Sequence, residues 1–485
     1  QYLQRKDFHI VVTNPPFLSR GRQSQVIRNM CDLYYECEKN DLATCFLHRC
    51  KLFTRNNANY AIVSPQNWLF LPNYKRLRSK LLNNDTLRSI VRLGEGGFDS
   101  SAAAGAFTIL IVISKKSPKG ERSSNIQCFD ISKPRTAYEK SSLLECAETV
   151  CIGQFEQFSN VDSRIILEKI NFGSTLEKYA VSIEGLTTGD LERYIRKFWE
   201  SARLLPGWEC FIQNVDSTIA YGGRSDTIFW ERGHGLIRSF PSAHNFPPKE
   251  INGAKVLGNK GIRVTQMRSL PCTLYTGEVF GKNAATIIPF MSENLPAIWC
   301  FCSSLDYCNN IRQIDQSLKV TSATLLKVPF DLDHWQKVAT EKYPHGLPEP
   351  YSDDPTQWIF HGHPCESVVW DEATKMLARG PLRTDGTVLH VAIARLLGYR
   401  WPTELDPEME LAGLQREWVA ESEKLLQFAD QDGIVCIPPV WGERPAVELL
   451  RSILAAAYGN EWSPRKEEEL LRQAGCTKTG GLEGF

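Results

Sequence analysis

Four short apolar runs rich in β-branched residues, at residues 8–13, 60–64, 87–93 and 107–113, most constrain what this chain can fold into. Each has the length and composition of a strand buried in a parallel sheet. Between the first two, Leu42, Cys45, Phe46, Arg49, Cys50 and Phe53 recur at helical spacing, and Asn56-Asn57 ends the pattern. Residues 74–82 read as a basic helix. Such alternation predicts an α/β class, with a partial doubly wound, Rossmann-like sheet over residues 1–130. The third and fourth runs have no helix between them, which predicts an antiparallel pair at the sheet edge.

A chain of 485 residues has room for about three domains. Residues 131–335 are mixed, rich in Gly and aromatic side chains, with a helical period only at 191–199, and predict an α+β domain. Residues 331–361 are Pro- and Asp-rich and read as a linker. Helices follow at 387–397 before Gly398, at 445–458 before Gly459, and from Ser463-Pro464 to Gly475, so 336–485 reads as a linker and a mainly helical domain.

The net charge of zero conceals an asymmetry. Residues 1–130 hold 19 Lys+Arg against 10 Asp+Glu, residues 131–330 hold 22 against 20, and residues 331–485 hold 15 against 26. The basic first third suits a phosphate-bearing partner; ordinary solvated charge is the plainer explanation. The longest apolar stretch, 106–113, falls far short of the ~20 residues that a membrane helix needs, so no membrane partner is expected. The 15 Cys are scattered without a CxxC pair, as in a reduced, cytoplasmic protein. The opening Gln1-Tyr-Leu-Gln-Arg-Lys, with neither an initiator Met nor a signal pattern, is expected to lie inside a larger protein.

Asn14-Pro15-Pro16-Phe17 follows the first run directly, where open α/β sheets place their ligands. Two prolines fix φ and remove two donors, leaving a rigid turn that presents acceptors. The Asn14 side-chain oxygen and the Pro15 carbonyl can both accept from one amino group, biasing its nitrogen towards the tetrahedral geometry of attack on a methyl. Phe17 offers a flat apolar face to a ring, a contact worth ~1–3 kcal/mol per base. The competing reading is a strand that ends in an ordinary turn with a core Phe.

Other candidates are weaker. His361-Gly-His-Pro-Cys365 has metal-ligand types but reads as a polar turn, and no metal is expected. Cys300 and Cys302 alternate as in a buried strand, and residues 371–375 read as an exposed helix start. Tyr194, Arg196 and Lys197, with Trp199 beside them, mix cationic and aromatic types suited to phosphates and bases, or to a solvated helix face. Arg263, Gln266 and Arg268 have the types that read purine edges.

Residues 8–17 resemble the catalytic motif of the γ-class amino-group DNA methyltransferases, which use S-adenosylmethionine and act on a flipped base. Asn at the first motif position implies adenine N6 as the target. Residues 60–68 are similar to the family's next strand and loop. Residues 94–99 with 107–113 resemble its closing hairpin, in which Phe98 matches the aromatic that lines the base pocket. Residues 185–190 with Trp199-Glu200 look like the start of the recognition domain of large type IIG restriction–modification methylases. Residues 396–402 and 432–439 resemble later segments of phage-defence methylases. The resemblance implies a site-specific DNA methyltransferase with double-stranded DNA as partner. The family's acidic, Gly-rich cofactor turn has no match after residue 14, so it is expected upstream of Gln1, in a missing N-terminal segment or subunit. This chain alone is then expected to bind S-adenosylmethionine poorly and to methylate little. A non-catalytic DNA-binding module and a protein or RNA amide methyltransferase are the alternatives.

Overall fold

The first apolar run forms β1 (Phe8–Thr13), which pairs in parallel with β2 (Thr54–Pro65) and opens a six-stranded sheet. The structure, a computed structural model, describes residues 7–98, 105–118, 124–167, 174–186, 190–201, 204–233, 256–438, 440, 442–476 and 481–485. β3 (Thr86–Gly94), β4 (Thr108–Ser114), β5 (Asn125–Asp130) and β6 (Val150–Gly153) complete the sheet, in the order β1-β2-β4-β3-β5-β6. β4 runs antiparallel to both of its neighbours, as its helix-free connection predicts, but it lies between β2 and β3 rather than at the edge.

Helices α1 (Gln25–Tyr34), α2 (Leu42–Phe53) and α3 (Lys75–Asn84) fill the connections in the first half of this sheet. Leu47 and Cys50 of α2 and Leu77, Leu81 and Leu82 of α3 bury against Tyr60, Ile62, Ile90, Ile109, Ile111 and Ile113. Each such side chain contributes about 1.5–3 kcal/mol. The alternate sheet positions Val63, Val91, Leu110 and Val112 are only partly buried. On β1, Ile10 and Val12 are 69% and 72% exposed, and β1 is the terminal strand of the sheet. α1, which the sequence reading missed, keeps Cys31 buried while Val26, Met30, Leu33 and Tyr34 stay exposed.

The chain forms two compact units, the first comprising residues 1–176, 309–320 and 327–330. Its boundary lies beyond the expected 130 because β6 extends the sheet and because α3 is tied to the later segment. The guanidinium of Arg78, fully buried, donates to the carbonyls of Trp68 (2.7 Å), Leu71 (2.8 Å), Asp162 (2.9 Å) and Ser163 (3.2 Å). Five N–H donors on one rigid fork suit such a cluster of carbonyls.

The second unit holds the rest of the chain, so residues 336–485 do not form a unit of their own. One sheet has the order β13-β9-β10-β8, from β8 (Ile195–Lys197), β9 (Trp208–Ile212), β10 (Asp226–Phe229) and β13 (Val279–Phe280). The other is β12-β11-β14-β7, from β7 (Ala180–Glu184), β11 (Gly261–Thr265), β12 (Cys272–Tyr275) and β14 (Ala284–Pro289). Residues 191–199 are not one helix: a single turn at Leu191–Tyr194 gives way to β8, whose pairing with β10 outweighs the local period. Residues 331–361 are not a linker. Leu332–Lys342 is a helix, and Trp358, Ile359 and Phe360 are buried. Residues 371–375 form the turn between strands Val368–Asp371 and Met376–Arg379 rather than a helix start. Cys300 and Cys302 are buried as expected, but on helix Leu295–Cys302. The C-terminal helices form at Thr387–Leu396, Ala446–Tyr458 and Pro464–Gln473, close to their expected bounds.

The segment His361 to Cys365 is buried rather than a surface turn. Arg395 donates to Gly362 O (2.9 Å) and pairs with Glu404 (2.6 Å), both side chains being fully buried. Gly362 is required there, since a Cβ would meet Arg395 Nη2 at 2.0 Å. The His363 N–H donates to His361 Nδ1 (2.9 Å), and His363 Nδ1 accepts from the Glu366 N–H (3.2 Å). Among the described residues no group of three metal-binding side chains comes together.

Burial, with the nearby His361 and Arg395 charges, pushes His363 down to about 3, and burial lowers His361 as well. The unfolded chain takes up protons near pH 6.5 while the folded chain refuses them, so stability falls as pH drops below that value. The expected loss is about 1.4 kcal/mol per pH unit from His363 alone. Thermal unfolding at pH 7.5 and 5.5 checks this: the midpoint falls at the lower pH, and His363→Gln reduces the fall.

Candidate functional site

β1, β2 and β3 run in one direction, so their carboxyl ends, and the start of the antiparallel β4, meet at one edge of the sheet. Asn14-Pro15-Pro16-Phe17 leaves β1 at this edge, with Asn14 exposed, Pro15 buried, and Phe17 partly buried. Gly94 to Phe98 leaves β3 at the same edge. The Phe17 and Phe98 rings stand edge to face at 68°, with centroids 6.3 Å apart. Two aromatics 81 positions apart in sequence therefore stand in a favourable ring geometry, one of them three residues beyond the exposed Asn14.

The chain beyond Phe17 is anchored by Asp41, the N-cap of α2. Its carboxylate accepts from the Ala43 N–H (2.9 Å) and the Leu18 N–H (3.3 Å), while the Leu42 N–H donates to Leu18 O (3.0 Å). The Gln23 side chain adds a bond to Leu18 O (3.1 Å). Burial raises the Asp41 carboxyl, opposed by these two backbone donors.

S-adenosylmethionine needs glycines that leave room for a ligand to approach the backbone. The Gly-rich turn beside a strand here, Gly94-Glu-Gly-Gly97, does not leave it: a Cβ at Gly96 (φ +74°) would meet Arg135 O at 2.1 Å. The space is filled by the chain itself. This turn does not fit the cofactor.

The residues expected at DNA divide in two. Arg196 and Lys197 have half-exposed side chains, Trp199 is half-exposed, and Arg268 is 78% exposed. Lys197 pairs with Asp226 (2.6 Å), Arg196 approaches Glu200 (3.8 Å), and Arg268 approaches Asp216 (3.6 Å). Tyr194, Arg263 and Gln266 are corrected, because all three are buried and out of reach of a DNA groove. Tyr194 packs with Phe211, Ile228 and Trp230. Arg263 donates to Asn214 Oδ1 (2.8 Å) and to Gln213 O, and burial draws it down to about 9, still a cation at neutral pH. A cavity of about 640 Å³ is lined by Arg196 and Lys197 together with Trp208, which the sequence reading missed, and Tyr399 and Arg400, which it did not connect with them. They lie too far apart in sequence for any local pattern to join them.

Residues 2–98 match the Eco57I restriction-modification methylase family. The chain is 25% identical over 206 residues to the adenine-specific methyltransferase PglX of Lacticaseibacillus casei (strain Zhang), covering 40% of this chain and 17% of that protein. It is 29% identical over 91 residues to the adenine-specific methyltransferase BrxX of Escherichia coli O9:H4 (strain HS), covering 19% of this chain and 8% of that protein. The chain thus spans less than a fifth of the length of these relatives. Among solved structures, the type IIL restriction-modification enzyme MmeI in complex with DNA aligns with TM-score 0.46 at 13% identity, over 96% of this chain and 56% of MmeI. A type I methyltransferase subunit from Streptococcus thermophilus aligns with TM-score 0.25 at 18% identity, over 32% of this chain and 36% of the subunit. The resemblance read in the sequence, to methylases of restriction–modification and phage-defence systems, is borne out by the family match and these relatives.

Asp41→Ala removes both the helix cap and the anchor of the Leu18 N–H. It is expected to cost about 1–2 kcal/mol in urea unfolding, and Asp41→Asn is expected to recover most of that loss.

Proposed function

We propose that this chain forms the amine-gripping and DNA-reading part of a methyltransferase acting on adenine N6 in a restriction–modification or phage-defence system. The observation that carries the reading is the exposed Asn14 at the end of β1, with Phe17 edge-on to Phe98 beside it. The family match over residues 2–98 and the names of both relatives support it. Asn14 Oδ1 and the Pro15 carbonyl accept from the adenine amino group, and the aromatic pair lines the flipped base. No strong base is required, because the amine can lose its proton after attack.

The methyl donor in this reading is S-adenosylmethionine, held by residues outside those described. The cofactor-binding part completes the sheet along β1. Support comes from the terminal position of that strand and from its exposed Ile10 and Val12, which a parallel strand and its covering helices would bury. Double-stranded DNA meets Arg196, Lys197, Trp199 and Arg268. Among the described residues no helix is long and apolar enough to cross a membrane, and the proposed site of action is the cytoplasm.

The test uses the full-length protein expressed in a host that lacks adenine methylation, with N6-methyladenine mapped across the genome. Asn14→Ala is expected to abolish the modification while DNA affinity stays within about twofold; wild-type levels of methylation in this variant refute the mechanism. Arg196→Ala with Lys197→Ala is expected to weaken binding to all sequences alike and to reduce the slope of log K against log salt by about 1 for each phosphate no longer neutralised. Gel-shift titrations between 50 and 200 mM salt, roughly the range over which such charge pairing is felt, read this out.

A further inference from the structure

Gln66 lies four residues beyond Ile62, the β2 partner of Thr13, just as Phe17 lies four residues beyond Thr13. It therefore leaves β2 beside the Asn14 turn. Its backbone N–H donates to Phe107 O (3.0 Å). The next residue, Thr108, pairs with Gly94, and its Oγ1 lies 3.0 Å from where a Cβ on Gly97 would stand. Gln66 and Thr108 thus occupy the junction between the segments that carry Phe17 and Phe98.

Both side chains are polar and buried, 1% and 0% exposed. Among the described residues, neither the amide nitrogen nor the oxygen of Gln66 has a hydrogen-bond partner, nor does the Thr108 hydroxyl. Leaving such groups unpaired is costly, and apolar side chains of the same shape would relieve the cost. Three unpaired atoms in one junction point to partners that arrive with another state of the site.

We propose that Gln66 and Thr108 are positioning residues of the nucleobase site, whose hydrogen bonds are completed only when the turns carrying Phe17 and Phe98 close around a flipped base. The empty site carries the penalty of the unpaired groups, and closure removes it. That difference favours the loaded state without either side chain touching the reacting nitrogen. The inference rests on the methyltransferase reading above and adds to it the residues that drive closure.

The experiment uses the full-length protein, a DNA duplex bearing the modified site found by genome mapping, and the same duplex with 2-aminopurine in place of the target adenine. Gln66→Leu and Thr108→Val each keep size while removing the polar group. Both are expected to leave the thermal midpoint unchanged or raised and DNA affinity within twofold. The expected losses are a fall of at least tenfold in kcat with KM unchanged, and the disappearance of the 2-aminopurine emission rise that reports base flipping. Thr108→Ser restores both. If both apolar variants fold, flip the base and turn over like the wild type, the groups are merely satisfied by structural water and the inference is overturned. If Gln66→Leu fails to fold, Thr108→Val and its serine rescue decide the matter alone. A wild-type protein that transfers no methyl group in the same assay refutes the methyltransferase reading and the inference together, a result distinct from active wild type with unaffected variants.

Discussion

Parallel pairing of β1 with β2 is the constraint on which the first unit depends. With Thr13 set against Ile62, both strands end at one edge, and the Asn14 turn emerges beside the segment that leads to Gln66. β4 then enters from that edge and binds β2 and β3 along its whole length, from Thr108 to Ser114, which fixes the Gly94 turn relative to both. The aromatic pair follows from strand order rather than from any local preference of Phe17 or Phe98. A one-residue slip would turn every side chain of a strand to the other face and bury Ile10 and Val12 in place of Val11.

Much of this unit was legible in the sequence. The runs that became β1 to β4 are apolar because the sheet interior is; α2 forms where its spacing placed it, but Phe46 and Arg49 of the expected stripe are exposed while Ala43, Thr44 and Leu47 are buried. Asn14, with its two prolines, was legible as a rigid turn because two consecutive prolines fix the backbone whatever surrounds them. The place of β4 was not, since strand order is decided by pairing partners far apart in the chain. Glycines 94, 96 and 97 were ambiguous for another reason: a glycine permits close approach without saying what approaches, and at Gly96 it is the backbone of Arg135.

The second unit was harder to read because it hides its charges. Arg263 has the type that reads guanine, and in sequence nothing separates such a residue from one that braces a sheet. Its partners, Gln213 and Asn214, come from a strand end some fifty residues earlier. Buried cations recur at Arg224, which pairs with Glu278 (3.0 Å) and stacks near Trp358, and at Arg395, which holds Gly362 and Glu404. Each joins segments distant in sequence. The Trp358 N–H donates to Arg224 O (2.7 Å), and this stitching explains why residues that looked like a linker are core.

The exposed rim along β1 carries a consequence for handling the protein. A terminal strand with bare backbone donors and acceptors, flanked by aliphatic side chains in water, is a template on which another polypeptide can add a strand. With this strand at its rim, the sheet has a physical reason to self-associate there. Colloidal behaviour thereby becomes a simple sign of whether that rim has been capped.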